Sequence, residues 1–197
     1  MNLTVKWTAL TTIGLAGGIL AGLFLGMPLG QIANAMIVTA AVTCIVGGVL
    51  GSLQAIGLRK LLPRPLWWVL ATTIGIGIGL AAGVVLVEQV GTFATGTRPN
   101  IARLDTIMRA TSFVALGLVA GTVLGISQWF VLRMQMRQIK YWVPASGIAL
   151  AVAFSASSLL VDLSGLRIAS AAGAVIFVLA SGIAFGALTS WPLRRTA

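Results

Sequence analysis

No histidine occurs in the chain, cysteine occurs once, and only 8% of the 197 residues are charged. Each shortage excludes something. Without histidine there is no Ser-His-Asp triad, no histidine-held haem and no zinc set built on imidazole. Cys44 lies in a hydrophobic run and can close no intrachain disulfide, so the redox compartment is not readable. Acid is the scarcest charge, with only Glu88, Asp105 and Asp162. A soluble domain carries about 25% charged residues. At 58% hydrophobic, this is the composition of an integral membrane protein, with little left over for a soluble domain.

What is present is span after span. A bilayer-crossing helix needs about 20 apolar residues. Six segments qualify: Thr8–Gly26, Ala33–Leu58, Leu66–Val87, Ala110–Leu132, Tyr141–Val161 and Ile168–Trp191, and none contains Asp, Glu, Lys or Arg. The sequence therefore predicts an all-α polytopic membrane protein with six transmembrane helices in a single domain, 1–197. The connections are short except the one from Glu88 to Arg109.

The basic residues predict the orientation. Lys6, Arg59, Lys60, Arg64, Arg133, Arg137, Lys140, Arg194 and Arg195 fall on one side of the spans. Arg98, Arg103, Arg109 and Arg167 fall on the other, together with all three acids. The positive-inside rule makes the first side cytoplasmic and puts both termini there. Trp7, Trp67, Trp68, Tyr141, Trp142 and Trp191 lie at the same helix ends, where an interfacial aromatic belt is expected. The formal net charge of +10 then belongs to loops facing lipid headgroups. Nucleic acid is not an expected partner, because the basic residues come in short clusters between spans. The segment IANAM, with Ala33 and Ala35, has the small-x-small spacing of a signal-peptidase site. The apolar run before it exceeds the usual ~7–15-residue h-region, so cleavage is not expected.

The chain repeats itself. A shift of 74 residues carries Gly47, Val49, Leu50, Gly51, Gln54, Leu58, Arg59, Trp68 and Val69 onto Gly121, Val123, Leu124, Gly125, Gln128, Leu132, Arg133, Trp142 and Val143. A shift of 61 carries Trp7, Thr11, Thr12, Gly14, Gly18 and Gly22 onto Trp68, Thr72, Thr73, Gly75, Gly79 and Gly83. The same shift takes Gly121, Gly125, Leu132 and Arg133 onto Gly182, Gly186, Leu193 and Arg194, with Thr189 in the place of Gln128. The predicted unit is a two-helix hairpin in three tandem copies: 1–60, 61–134 with a longer outer loop at 88–109, and 135–197. An even number of spans per copy makes the copies parallel, so any symmetry axis lies along the membrane normal. A ring around that axis and a linear row of hairpins both fit. A first span equivalent to the third also argues against a cleaved leader.

Small residues recur every fourth position and so share a helix stripe. In the odd spans these are Gly14, Gly18, Gly22 and Gly26, then Gly75, Gly79 and Gly83, then Ala149, Ala153 and Ser157. Gly47/Gly51, Gly121/Gly125 and Gly182/Gly186 give the even spans a matching smooth patch. Close helix packing is the expected role, since lipid supplies little hydrophobic drive between helices. A glycine-lined passage is the alternative. Gln54 shares a face with Gly47, Gly51 and Leu58, and lies five residues before Arg59, about 7–8 Å deeper along the axis. A lipid-facing amide there would lose its hydrogen bonds to water. Gln54, Gln128 and Thr189 are therefore expected to make interhelical polar contacts, with ligand binding as the alternative. Arg59, Arg133 and Arg194 are read as interfacial anchors.

Glu88 and Asp162 occupy equivalent repeat positions at the outer span ends. With Arg109 and Arg167 they could form an outer-face pocket, or merely mark where spans end. Enzyme chemistry finds no support. There is no HExxH set, and Lys6, Lys60 and Lys140 sit at the rim, so no Ser-Lys pair can be buried. No catalytic or metal residues and no cofactor are expected, and no residue is assigned to cofactor binding. Ion-coupled transport normally shows an ionisable group inside the bilayer, and the spans hold none.

Two functions remain. One is a non-catalytic accessory or scaffold subunit, packed against other membrane proteins, lipids or pigments in a complex. The other is a carrier, or the substrate-binding subunit of one, for a neutral or apolar small molecule. In size and span count the chain is similar to the substrate-binding subunits of energy-coupling-factor vitamin importers, without their motif. A polar enclosed pocket would favour the carrier, and a filled centre the subunit. The segment GISQWFVLR, Gly125 to Arg133, with its weaker copies, resembles repeats of uncharacterised multi-spanning proteins from cyanobacteria and related bacteria. That resemblance brings no activity, but it implies a bacterial inner or thylakoid membrane.

Overall fold

The computed structural model describes residues 2–29, 35–59, 62–95, 105–135, 141–167 and 170–194. It contains six helices: α1 (Leu3–Leu29), α2 (Ala35–Leu58), α3 (Pro65–Thr95), α4 (Thr106–Gln135), α5 (Trp142–Leu163) and α6 (Ala171–Arg194). There is no strand among the described residues. Each helix is long and apolar enough to cross a membrane, so the chain is an all-α, multi-pass membrane protein. Among the cationic anchors, Lys60, Arg98, Arg103, Arg137, Lys140, Arg195 and the side chain of Arg194 lie outside what is described.

Of the segment from Glu88 to Arg109, expected as loop, residues 96–104 lie outside the described residues, and the rest is helix except Asp105. α3 runs on to Thr95 and α4 begins at Thr106. No proline interrupts the sequence between Glu88 and Thr95, and Gly91 costs the helix only about 1 kcal/mol. Asp105 starts α4 by accepting a bond from Met108 N–H at 2.8 Å. Glu88 is consequently a half-buried residue inside a helix rather than its terminus. α5 ends in the opposite way. Gly165 takes φ +69°, Gly165 N donates to Asp162 O at 3.0 Å, and Leu166 N donates to Val161 O at 3.2 Å. This is a Schellman cap, and it favours glycine at that position.

The helices form a closed ring. Each packs on its neighbours in sequence, and α1 closes the circle against α6. Backbones across the ring do not approach one another among the described residues. Small residues set these contacts. On α1, Gly18 meets the Val46 backbone of α2, where an added methyl would stand 2.9 Å from Val46 Cα. Gly14 and Gly22 meet Leu50 and Val42. On α3, Gly75, Gly79 and Gly83 meet Leu124, Ala120 and Leu116 of α4. The even helices present their pairs to the next element: Gly47 and Gly51 to Thr73 and Val69 of α3, Gly121 and Gly125 to Ser146 and Val143 of α5, Gly182 and Gly186 to Thr12 and Thr8 of α1. At Gly47 an added methyl would lie 2.6 Å from Thr73 Cα, so only hydrogen fits. Such approach replaces the hydrophobic drive that lipid cannot supply. On α5, Ala149, Ala153 and Ser157 are buried in the equivalent stripe, and Ser181 Oγ of α6 donates to Ser157 Oγ at 3.0 Å.

Candidate functional site

The ring is closed at the end where α1, α3 and α5 begin. There Trp7, Trp68 and Trp142 turn inward and meet edge to face, with ring centroids 5.8–6.3 Å apart. Each is at most 1% exposed. Leu58, Leu132 and Leu193 pack with them in one core cluster. This corrects the aromatic-belt expectation. Trp67, Tyr141 and Trp191 do face outward, at 57%, 58% and 48% exposure, but the three repeated tryptophans are the floor of the bundle. The 61- and 74-residue shifts relate Trp7, Trp68 and Trp142, but the 74-residue shift also relates the exposed Trp67 and Tyr141, so recurrence alone does not separate the inward ring from the outward one.

A tryptophan in an apolar core needs a partner for its indole N–H, and the polar residues of the even helices supply it. Trp68 Nε1 donates to Gln54 Oε1 at 3.3 Å, and Trp142 Nε1 to Gln128 Oε1 at 3.2 Å. Trp7 Nε1 donates to Thr189 Oγ1 at 2.9 Å. The amide nitrogens bond the other way: Gln54 Nε2 donates to Thr11 Oγ1 at 3.3 Å and Gln128 Nε2 to Thr72 Oγ1 at 3.0 Å. Each glutamine thus ties the odd helix before it to the odd helix after it. Gln54, Gln128 and Thr189 are all but fully buried and do make interhelical contacts. They neither meet at the centre nor stay within one hairpin.

The third position differs. Thr189 is too short to reach across, and its hydroxyl instead donates to Phe185 O at 2.7 Å. Ser146, which corresponds to Thr11 and Thr72, is left fully buried with an unpartnered Oγ.

Above the floor the centre is not filled. A cavity of about 420 Å³ is lined by residues of all six helices, among them Thr11, Leu15, Leu50, Ile76, Leu124, Leu150 and Phe185 near the floor. Farther out the lining is Ile19, Val38, Thr39, Val42 and Thr43 on α1 and α2, facing Phe154 and Phe177 on α5 and α6. Its few hydroxyls are engaged. Thr11 accepts from Gln54, Thr43 donates to Thr39 O, and Ser181 donates to Ser157. The outer level breaks the repeat. Phe113, Phe154 and Phe177 stack with centroids 5.2–6.3 Å apart. The positions related to them by 61 and 74 residues hold Thr39, Ile19 and Val42 in α1 and α2. Bulk on one side and short side chains on the other give the cavity its outer width.

The expected outer-face pocket assembles only in part. Arg109 Nη2 pairs with both carboxylate oxygens of Asp162, tying α4 to α5, with side chains 15% and 16% exposed. Glu88 and Arg167 form no ion pair among the described residues, and Arg167 is exposed. No group of acidic, histidine or cysteine side chains that could hold a metal occurs among the described residues.

Comparison with known proteins finds no family model, no curated protein and no solved structure that matches the chain.

Proposed function

We propose that this is a non-catalytic membrane protein that binds an apolar molecule inside its ring of helices, as a carrier or as the binding subunit of one. The central cavity supports this reading. Its volume, about 420 Å³, lies within the roughly 300–1,000 Å³ of small-molecule sites. A carrier was expected to show a polar enclosed pocket; the apolar lining found instead, with the hydroxyls of Thr11, Thr43 and Ser181 engaged, favours a ligand without polar groups in contact. The accessory-subunit reading rested on smooth glycine faces and scarce polar residues; the glycines are taken up by contacts within the ring, and its remaining support is the apolar outer faces, which membrane lipid covers equally well.

The architecture behind the site is three tandem hairpins around a pseudo-threefold axis, with the small-residue stripes as a glycine zipper. The recurrence of Trp–Gln bonds at related positions supports that architecture. The charge bias supports a cytoplasmic side for the tryptophan floor and both termini, and the resemblance of the repeat segment supports a bacterial inner or thylakoid membrane. The mouth of the cavity then faces the outer leaflet.

Purification in lipid nanodiscs, followed by solvent extraction and mass spectrometry, tests the function. One lipophilic species at stoichiometric yield, lost on Val42→Phe, is the expected result. A large stoichiometric protein complex with no retained small molecule would return the accessory-subunit reading.

A further inference from the structure

We infer that the cavity takes the single hydrocarbon chain of an amphiphile, methyl end first, and leaves the polar head at the rim near Thr39. This rests on the proposed binding function and specifies its ligand.

Four observations lead to it. The inner end is blind, because the lining stops at Thr11, Leu50, Leu124 and Phe185, all buried, and the packed tryptophans lie beneath them. The other end is open among the described residues, where Thr39 lines the cavity and is also exposed. The cavity is long and narrow. On α2 the lining runs from Thr39 to Leu50, eleven residues and about 16 Å along the axis. Over that length 420 Å³ amounts to a mean cross-section of about 26 Å², room for one extended alkyl chain and not for two. Finally, no buried polar atom of the lining lacks a partner among the described residues: the buried unpartnered groups are Thr4, Thr8, Ser146 and Ser158 hydroxyls and Arg109 Nε, none of them on the cavity wall. A headgroup drawn inside would lose its water with nothing in exchange, so it stays out.

Depth fixes the direction of entry. Arg59 lies twenty residues from Thr39 on the same helix, about 30 Å, the thickness of the hydrocarbon core. The mouth therefore opens at the membrane interface opposite the basic residues, level with lipid headgroups. An amphiphile can enter there with its head already in place.

Depth-dependent quenching tests this. Trp67, Trp129 and Trp191 are replaced by Phe, which leaves the three floor tryptophans as the only fluorophores. The protein is placed in phosphatidylcholine vesicles and titrated with a long-chain fatty acid carrying a nitroxide near its methyl end or near its carboxyl. Lipid of the adjacent leaflet brings the carboxyl-proximal label closer to the floor, so bulk partition favours that label. The inference predicts the opposite order: saturable quenching several-fold stronger from the methyl-end label, abolished by Val42→Phe. Unlabelled fatty acids should compete with potency that rises with chain length and then levels off once the chain spans the cavity. Saturable quenching with the labels equal or in reverse order would overturn tail-first entry and leave the binding function standing. Absence of saturable quenching would overturn the amphiphile. If no lipophile co-purifies either, the binding function falls with it.

Discussion

Trp68 and Gln54 are joined by a buried hydrogen bond of 3.3 Å that fastens α3 to α2, and the same bond recurs between Trp142 and Gln128. The bond does two things together. It satisfies an indole N–H in a place without water, and it holds the ring from which the floor projects. The three tryptophans in turn close the inner end of the ring.

Gln54→Leu should therefore destabilise by about 1–3 kcal/mol, the usual cost of stranding buried polar partners. Both Trp68 Nε1 and Thr11 Oγ1 lose their bond. Denaturant or thermal unfolding in mild detergent measures it. Trp68→Phe should cost less in the Gln54→Leu background than alone, because the indole N–H is then already unpaired. Equal costs in both backgrounds would show that the bond contributes nothing.

The third position gives a sharper test. Ser146 lacks the partner that Thr11 and Thr72 have. Thr189→Gln restores the glutamine of the other two copies and should raise the melting temperature. The gain should vanish in Ser146→Ala. A gain independent of Ser146 would mean that the new side chain merely fills space.

Much of this was legible in the sequence. Span number, apolar composition and the small-residue stripes followed from hydropathy and spacing, because a bilayer leaves a backbone few choices. The interhelical role of Gln54, Gln128 and Thr189 followed from the cost of an amide in lipid. Two features were not legible. The inward turn of Trp7, Trp68 and Trp142 was missed because tryptophan near a basic residue fits an interfacial belt equally well. The cavity was missed because an empty centre depends on side-chain volumes summed around the ring. Replacing Phe113, Phe154 and Phe177 by Thr39, Ile19 and Val42 changes those volumes while leaving each helix hydropathic enough to span.

Glycine substitutions should separate packing from composition. Gly47→Leu should prevent assembly of the folded protein, since even a methyl there would overlap the Thr73 backbone. Gly77→Leu should be tolerated, because nothing lies within 4 Å of its vacant Cβ position. Size-exclusion profiles and melting curves of the two variants give the comparison.

The ion pair between Arg109 and Asp162 should behave as a mostly buried one. Removing Asp162 alone, as Asp162→Asn, leaves an uncompensated guanidinium and should cost several kcal/mol. The double variant Arg109→Gln/Asp162→Asn should recover much of that loss. If the double variant is as unstable as the single one, the pair supplies geometry beyond its charge balance.

The central claim is an occupied, dry, blind cavity inside the ring, and an experimental density map of the wild-type protein in nanodiscs tests it most directly. Continuous, elongated non-protein density should run from the level of Leu50, Leu124 and Phe185, above the tryptophans, to the level of Thr39, and be absent in Val42→Phe. A centre filled by protein side chains, with helices collapsed across the ring, would contradict it.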